Sequence, residues 1–164
     1  MNRIGDAMKL DKKDIALINE LQSNCRQSLK KLSRKLNMSI TTVYDRMKKL
    51  EKEGVIKQCR AILDPEKTGI PRTTFTLVRI DYTHLLESGE NQRDVAKRLA
   101  RFPQVLETHV ITGEWDILLK IRGKSVPEIG DLIMTKLRKV KGVGRTQSIT
   151  VWETFKETTE LKLT

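Results

Sequence analysis

The sequence predicts an α+β chain, with an N-terminal helix-turn-helix (winged-helix-like) domain and a C-terminal ferredoxin-like βαββαβ sandwich. Before residue 54, apolar residues recur at helical spacing, whereas after residue 72 strand-like and helical patterns alternate. Between these two parts, residues 64–72 hold two prolines and a glycine, which is typical of a domain boundary. We therefore expect one domain at 1–63 and another at 73–164, joined by a linker at 64–72.

Three helices are predicted in the first domain. Residues 11–23, 29–36 and 40–53 each place apolar side chains on one helical face. Asp11 and Ser39 precede the first and third helices, where a side-chain oxygen can accept an unpaired backbone N–H. Gly54 follows the third helix as its C′ residue.

The third predicted helix carries polar groups opposite its apolar stripe. They are hydroxyls, an aromatic ring and cations, the groups that meet base edges and phosphates in the major groove of DNA. The candidate DNA-binding residues are Ser39, Thr41, Thr42, Tyr44, Asp45, Arg46, Lys48 and Lys49. The alternative is a basic, solvated helix pair without a ligand, which the spacing of helix, turn and capped helix disfavours.

The distribution of charge points to an acidic partner. The chain has 32 Lys and Arg against 21 Asp and Glu, a net charge of +11. Up to residue 64 there are 15 basic and 8 acidic residues, and 17 and 13 beyond it. Most of the excess lies in the helix-turn-helix half, so double-stranded DNA is its expected partner. Adaptation to heat or to solubility also gives such an excess, so charge alone does not establish DNA binding.

Composition argues against export, membrane insertion and metal chemistry. The first 14 residues hold no apolar core of signal-peptide length, and no run approaches 18 apolar residues. We expect a cytoplasmic protein with no membrane partner. Cys25 and Cys59 lack a C-x-x-C pattern and are expected to be reduced thiols. With His84 and His109 as the 2 histidines, neither a metal nor a cofactor is expected.

The second domain alternates strand and helix patterns. Strands are predicted at 73–82, 104–111, 115–122 and 146–155, and helices at 91–101 and 126–141. A tight turn at 112–114 joins the second and third strands. A further strand is predicted at 55–63, but it contains no turn for a two-stranded wing. Because a single strand leaves an unpaired edge, we expect it to pair elsewhere, for example with its copy in a second subunit.

The predicted sheet has helices on one face only, so its other face should be polar if it meets water. Yet its first strand carries Phe75 and Leu77 on one face and Val78 and Ile80 on the other. We therefore expect a homodimer, which would place two reading helices ~34 Å apart on DNA. A monomer with a partly apolar open face is the alternative.

Short motifs along the chain match a known pattern in order and spacing. They are Leu10-Asp11, Leu36 with Met38-Ser39, Val43 with Arg46, Leu50-Glu51, Gly54-Val55-Ile56, Leu63-Asp64 and TGEWDILLKIRG at 112–123. Over about residues 10–155 the chain resembles the Lrp/AsnC (feast/famine) transcription regulators. It departs from that pattern at Lys30-Lys31, where the family often has neutral or acidic residues, and in a slightly longer segment at 82–91.

The resemblance implies a sequence-specific regulator that is not an enzyme. It implies dimers built through the C-terminal sheets, which join into tetramers or octamers. It also implies a small effector, usually an amino acid, bound between dimers near Gly113. The candidate effector-binding residues are His109, Gly113, Glu114, Trp115, Asp116, Thr146 and Ser148. Glu114 and Asp116 have the charge to hold an α-ammonium group. A purely local role for Gly113 and Asp116 in the turn is the open alternative.

Two other functions fit the same layout. Sirohaem decarboxylases look like Lrp-type proteins and use His and Arg in the C-terminal half, where His109 would be available. A chromatin-like DNA compactor would use the same basic helix without sequence preference. An enzyme has no need for Arg46, Lys48 and Lys49 beside paired threonines, which disfavours the first of these.

Overall fold

The computed structural model describes residues 8–163, which form two compact units. The first unit ends at Ile62 and also takes in the chain from Glu157 onward, and the second is Leu63–Lys156. The C-terminal tail thus differs from the expected extent of the second domain. The reason is visible in the first unit, where Leu163 packs against the apolar cluster.

The first unit contains the three expected helices, α1 (Lys12–Ser23), α2 (Leu29–Leu36) and α3 (Ile40–Lys52). Asp11 caps α1 as expected, and it forms a capping box with Asp14. The break between α2 and α3 is made by Asn37, whose φ of 49° is left-handed. The core of the unit consists of Leu17, Ile18, Leu32, Met38, Val43 and Leu50.

One expectation for this unit is wrong and another stays a prediction. Residues 55–63 form no strand in the single chain, and their expected pairing with a copy in a second subunit stays a prediction. Cys25 and Cys59 are not free thiols but form a disulfide, with Cα atoms 6.1 Å apart. Their 34-residue separation in sequence concealed that the turn after α1 approaches the segment after α3.

The second unit is a four-stranded antiparallel sheet with the strand order β2-β3-β1-β4. Its elements in chain order are β1 (Arg72–Ile80), α4 (Tyr82–Ser88), α5 (Gln92–Leu99), β2 (Val105–Val110), β3 (Ile117–Gly123), α6 (Val126–Thr135), a 3-10 turn (Leu137–Lys139) and β4 (Val143–Thr150). This is the expected βαββαβ order with one added helix, α4. The α+β fold class predicted from the sequence is confirmed.

The two faces of the sheet differ as strand alternation requires. Ile117, Leu119 and Ile121 of β3 are fully buried in the core that α5 and α6 cover. On the opposite face, Phe75 pairs across the sheet with Ile149, and Leu77 pairs with Leu118. These four residues, named here the open-face stripe, are half-buried or exposed, so an apolar band remains accessible on this face.

Two elements differ from the prediction. The sequence reading did not identify α4, although Asp81 caps it by accepting hydrogen bonds from the backbone N–H groups of Thr83 and His84. The last strand was predicted at 146–155 but spans Val143–Thr150, and beyond it the Val151 N–H still donates to the Thr73 carbonyl of β1 at 2.9 Å. Trp152 therefore lies outside the sheet.

Candidate nucleic-acid interface and effector site

The start of α3 is fixed by two of the candidate DNA-binding residues. Ser39 Oγ accepts the backbone N–H of Thr42 at 3.1 Å and lies 2.7 Å from Thr42 Oγ1. The cap occupies both hydroxyls and sets the direction in which α3 leaves the turn. Ser39 and Thr42 therefore position the helix in the first place.

The remaining candidates on α3, apart from Arg46, are exposed. They are Thr41, Tyr44, Asp45, Lys48 and Lys49. Lys48 Nζ lies 5.9 Å from the centroid of the Tyr44 ring and 3.2 Å from Glu51 Oε2. The pKa of Lys48 is raised, chiefly by its hydrogen bond to Glu51, so this cation stays charged. The exposed face of α3 thus presents a hydroxyl, an aromatic ring and cations together.

Arg46 is placed differently from the prediction. Its Nη1 donates to Asp11 Oδ2 at 2.8 Å and to Asp14 Oδ1 at 2.6 Å, and 25% of its side chain is exposed. These two carboxylates raise its pKa, the hydrogen bond to Asp11 contributing most. The geometry favours a structural role for Arg46, joining α3 to α1, over the expected contact with DNA.

The sequence reading did not include the basic residues on α2. Lys30, Lys31 and Arg34 are all exposed on this helix. In helix-turn-helix proteins the helix before the reading helix crosses the DNA backbone, where cations contact phosphates. The sequence does indicate a basic face on α2, because Lys30 and Arg34 lie four residues apart and therefore on the same side of the helix.

Of the candidate effector residues, Asp116 is occupied by the protein itself. Its carboxylate accepts the backbone N–H of Ile80 at 2.8 Å, the Tyr82 hydroxyl at 2.6 Å and Gln92 Nε2 at 3.3 Å. The hydrogen bond to Asp116 raises the pKa of Tyr82. Gly113, with a φ of 126°, supplies the turn conformation between β2 and β3. The geometry thus favours local roles for both residues.

The other candidates near the hairpin face the open side of the sheet or the solvent. His109 Nε2 lies 3.1 Å from Glu107 Oε2, and this contact lowers the pKa of Glu107 more than Lys120 does. The ring of Trp115 lies 5.7 Å from the guanidinium carbon of Arg145. Glu114 is exposed in the turn.

Thr146 and Ser148 lie apart from the hairpin, on the edge strand β4. Their strand partners Val78 and Thr76 are buried, so both hydroxyls face the helical side of the sheet. There they line a groove of about 250 Å³ between α6 and β4, called here the α6 groove. Its walls are Thr74, Val126, Ile129, Gly130, Ile133, Met134, Arg138, Thr146, Ser148 and Thr150. The sequence reading named only the two β4 hydroxyls among these.

Two kinds of feature are absent from residues 8–163, the part of the chain that the structure describes. No helix in this range has the length and apolar character needed to cross a membrane. Within the same range, no group of three or more His, Cys, Asp or Glu side chains is arranged to hold a metal ion.

Comparison with known proteins identifies relatives for both units. Residues 10–57 match a winged helix-turn-helix DNA-binding model, and residues 74–161 match the Lrp/AsnC ligand binding domain. An uncharacterized HTH-type transcriptional regulator of Pyrococcus horikoshii is 41% identical over 148 residues, which cover 90% of this chain and 96% of the relative. The leucine-responsive regulatory protein of Haemophilus influenzae is 34% identical over 154 residues, 94% of this chain and 90% of that protein.

A solved structure is similar over nearly the whole chain. It is the transcriptional regulator NMB0573 of Neisseria meningitidis in complex with L-Met, with a TM-score of 0.84 and 30% identity. The match covers 94% of this chain and 97% of that one. All three relatives are named as regulators, so neither the decarboxylase alternative nor the DNA compactor is favoured.

Proposed function

Because the chain belongs to the Lrp/AsnC family and is a DNA-binding transcription regulator with a ligand-binding domain, we propose that α3 reads the major groove of a specific operator. The single observation that supports this most is the exposed face of α3, where Thr41, Tyr44 and Lys49 project on a helix whose start is fixed by its cap. Hydroxyl and ring groups suit base edges, and lysines suit phosphates.

We propose that Lys30, Lys31 and Arg34 on α2 add phosphate contacts beside those of α3. Each phosphate that a cation neutralises releases counterions, so the affinity should fall as salt rises. A site of this kind binds both operator DNA and random DNA. Thr41, Tyr44 and Asp45 set the difference in affinity between the two. Action on the chromosome would place the protein in the cytoplasm.

A homodimer formed through the open-face stripe is the second part of the proposal. Phe75, Leu77, Leu118 and Ile149 form an apolar band on a sheet that lacks a covering layer. Two copies packed face to face would bury this band and carry two reading helices for a two-fold operator. Residues 55–63, unpaired in the single chain, would then have their own copy as a partner. We further propose that these dimers associate into tetramers or octamers.

We also propose that a small effector, an amino acid or a related acid, controls the regulator through its C-terminal unit. The similar solved structure from Neisseria meningitidis is a complex with L-Met, so effectors of the size of an amino acid are the first to test. Effector binding would act by shifting the assembly equilibrium and hence the spacing of the reading helices.

Footprinting on the DNA upstream of the protein's own gene tests the proposed DNA reading. A protected two-fold site is expected, with affinity at least 10³-fold above random DNA at physiological salt. In a fluorescence anisotropy titration, Tyr44→Ala should reduce this preference, while Lys49→Ala should weaken both DNAs about equally. Lys97→Ala, an exposed lysine on α5, serves as the control. Equal affinity for promoter and random DNA would contradict specific reading and favour a compactor.

A further inference from the structure

The disulfide between Cys25 and Cys59 lies among cations. Arg26 follows Cys25 in the turn before α2, and Arg60 follows Cys59 in the basic segment, defined here as residues 55–61. We infer that this bond holds the basic segment beside α2 as a further phosphate-contacting surface, and that its reduction weakens DNA binding. The inference rests on the proposed function for the DNA partner, to which it adds a contacting segment and a redox dependence.

The basic segment carries positive charge only. It contains Lys57 and Arg60 but no Asp or Glu, and both cations are exposed. Arg26, beside the other cysteine, is exposed as well. Among residues 8–163, no carboxylate lies within ion-pair distance of any of these three cations. Cations that are held together without a counter-charge favour a polyanion as their partner.

The bond places this charge next to the cations of α2. The Cα atoms of Cys25 and Cys59 are 6.1 Å apart, and α2 begins at Leu29, shortly after Cys25 in the chain. The exposed Lys30 and Lys31 lie in the first turn of this helix. The basic segment therefore extends the surface that we propose for phosphate contacts.

The disulfide restrains the later part of the basic segment. At the start of the segment, the Ile56 N–H donates to the Leu50 carbonyl at 3.1 Å, and the Ile56 side chain packs against the core of the first unit. Residues 57–63 are all exposed, and within the described part of the chain they make no backbone hydrogen bond. After Ile56, the bond at Cys59 is thus the link that keeps the segment near α2.

This restraint should strengthen DNA binding. A disulfide that fixes a loop near its bound conformation lowers the entropy that the loop loses on binding. Without the bond, Lys57 and Arg60 would reach phosphates only at a larger entropic cost. The proposed pairing of residues 55–63 with their copy would use backbone groups and leave both cationic side chains free.

The bond is accessible to a reductant, because Cys59 is exposed and Cys25 is half-buried. Exchange with a protein dithiol breaks the Sγ–Sγ bond and transfers two electrons and two protons. It leaves thiols on Cys25 and Cys59 and a disulfide on the reductant. The DNA affinity would then follow the thiol–disulfide balance around the protein.

Fluorescence anisotropy with the oxidised and the reduced full chain tests the inference. Both are titrated at several salt concentrations with a duplex from upstream of the protein's own gene and with a random duplex of equal length. Reduction should weaken binding to both DNAs about tenfold, and the slope of log affinity against log salt should become shallower by ~0.9 for each lost phosphate contact. Circular dichroism at the titration temperature checks that the reduced chain is folded.

Matched variants separate the charge of the segment from the stability of the helices. Lys57→Gln combined with Arg60→Gln should bind, when oxidised, as the reduced parent does, and should lose little further affinity on reduction. Cys59→Ser should also match the reduced parent. Lys97→Gln combined with Arg101→Gln removes two exposed cations from the second unit and should behave as the parent in both redox states.

Two results would overturn the inference. One is equal affinity and equal salt slope in the oxidised and the reduced parent. The other is a loss on reduction that is as large in the Lys57→Gln and Arg60→Gln variant as in the parent, because the bond would then act only through the stability of the helices. Preference for the upstream duplex that reduction leaves unchanged in strength rejects the basic segment alone. Equal binding of both duplexes that weakens on reduction upholds the segment and rejects the proposed specific reading.

Discussion

At the scale of single residues, Arg46 shows how a cation on α3 can stabilise the fold. Asp14, on α1, is almost fully buried, and Arg46 supplies its cation at 2.6 Å. The exposed Asp11 shares the same guanidinium. The three groups join the start of α1 to the middle of α3, so the orientation of α3 relative to α1 depends on this ion pair.

The ion pair predicts different effects for two cations on α3: replacing Arg46 should lower the stability, and replacing Lys49 should weaken DNA binding. Arg46→Met leaves the buried carboxylate of Asp14 without its cation and should lower the free energy of unfolding by about 3 kcal/mol. Lys49→Met should leave stability nearly unchanged and weaken DNA binding. Urea unfolding of both variants, with gel-shift titrations alongside, measures the two effects. An Arg46→Met protein as stable as its parent but deficient in operator binding would restore the original expectation for Arg46.

The same ion-pair cluster of Arg46, Asp11 and Asp14 makes the free energy of unfolding depend on pH in the acid range. The pKa of Asp11 is lowered, first by the backbone N–H of Asp14 and then by Arg46. A carboxyl whose pKa is lower in the folded state contributes stability above its unfolded pKa, near 3.8, and loses it as the pH falls through the folded value. The Arg46→Met variant lacks the contribution of Arg46 to the lowered pKa of Asp11. Its free energy of unfolding should therefore fall less than that of the parent as the pH drops through this acid range.

The residues that the sequence predicted well are those whose partners are local. Asp11, Ser39 and Ser125 cap helices by bonding a backbone N–H three residues later, which spacing alone reveals. The ion pairs of Arg46 could not be predicted from the sequence, because its partners lie 35 and 32 residues away along the chain. The buried hydroxyl of Thr74, which has no hydrogen-bond partner among residues 8–163, was invisible for a similar reason, since its isolation depends on which strands and helices surround it.

At the scale of elements, the disulfide between Cys25 and Cys59 ties two irregular segments of the first unit together. Cys25 follows α1, and Cys59 lies in the exposed segment after α3. Without this bond, residues 55–63 have no strand partner in the single chain to restrain them.

The disulfide should stabilise the first unit by ~2–4 kcal/mol, as expected for a closed loop of this length. Mass spectrometry after thiol labelling should find no free thiol in the native protein. Cys59→Ser should unfold at a lower temperature than the oxidised parent, and the reduced parent should match Cys59→Ser. Identical unfolding of oxidised and reduced parent would show that the bond contributes nothing to stability.

The predicted ends of strands were wrong where pairing with a neighbouring strand, and not the local sequence, decides where the strand ends. The composition of residues 151–155 suits a strand, but β4 ends at Thr150, and the Val151 N–H makes one further bond to β1, at the Thr73 carbonyl. Residues 55–63 likewise have a strand-like composition but form no strand in the single chain. The helix α4 was missed although Asp81 is a good cap, because its 7 residues are too few to show a clear helical period.

At the scale of the whole molecule, the chain passes between the two units twice. It leaves the first unit after Ile62 and returns to it at Glu157. The returning tail is bonded to α1 in both directions, because Gln22 Nε2 donates to the Leu161 carbonyl at 3.0 Å and Gln22 Oε1 accepts the Leu161 N–H at 2.8 Å. The first unit is therefore completed by residues that follow β4, the strand whose hydroxyls line the α6 groove.

The assembly proposed through the open-face stripe gives the last prediction. Leu77 lies in the middle of this stripe, paired with Leu118 on one side and Gln147 on the other. Leu77→Lys would place a charge from each copy in the shared interface, where like charges cost several kcal/mol. Sedimentation velocity should show the parent as a dimer or larger and Leu77→Lys as a monomer. Operator affinity should fall by an order of magnitude or more, because the two half-sites are then bound independently.

Leu86→Lys is the matched control for this prediction. Leu86 lies on α4 with 85% of its surface exposed, so the same substitution there adds the same charge without touching the open-face stripe. It should keep the mass and the operator affinity of the parent. A monomeric parent, or a Leu77→Lys variant that keeps the parent's mass, would show that the stripe is not the dimer interface. Two reading helices would then have to be brought together by another surface, because a two-fold operator needs both of them at once.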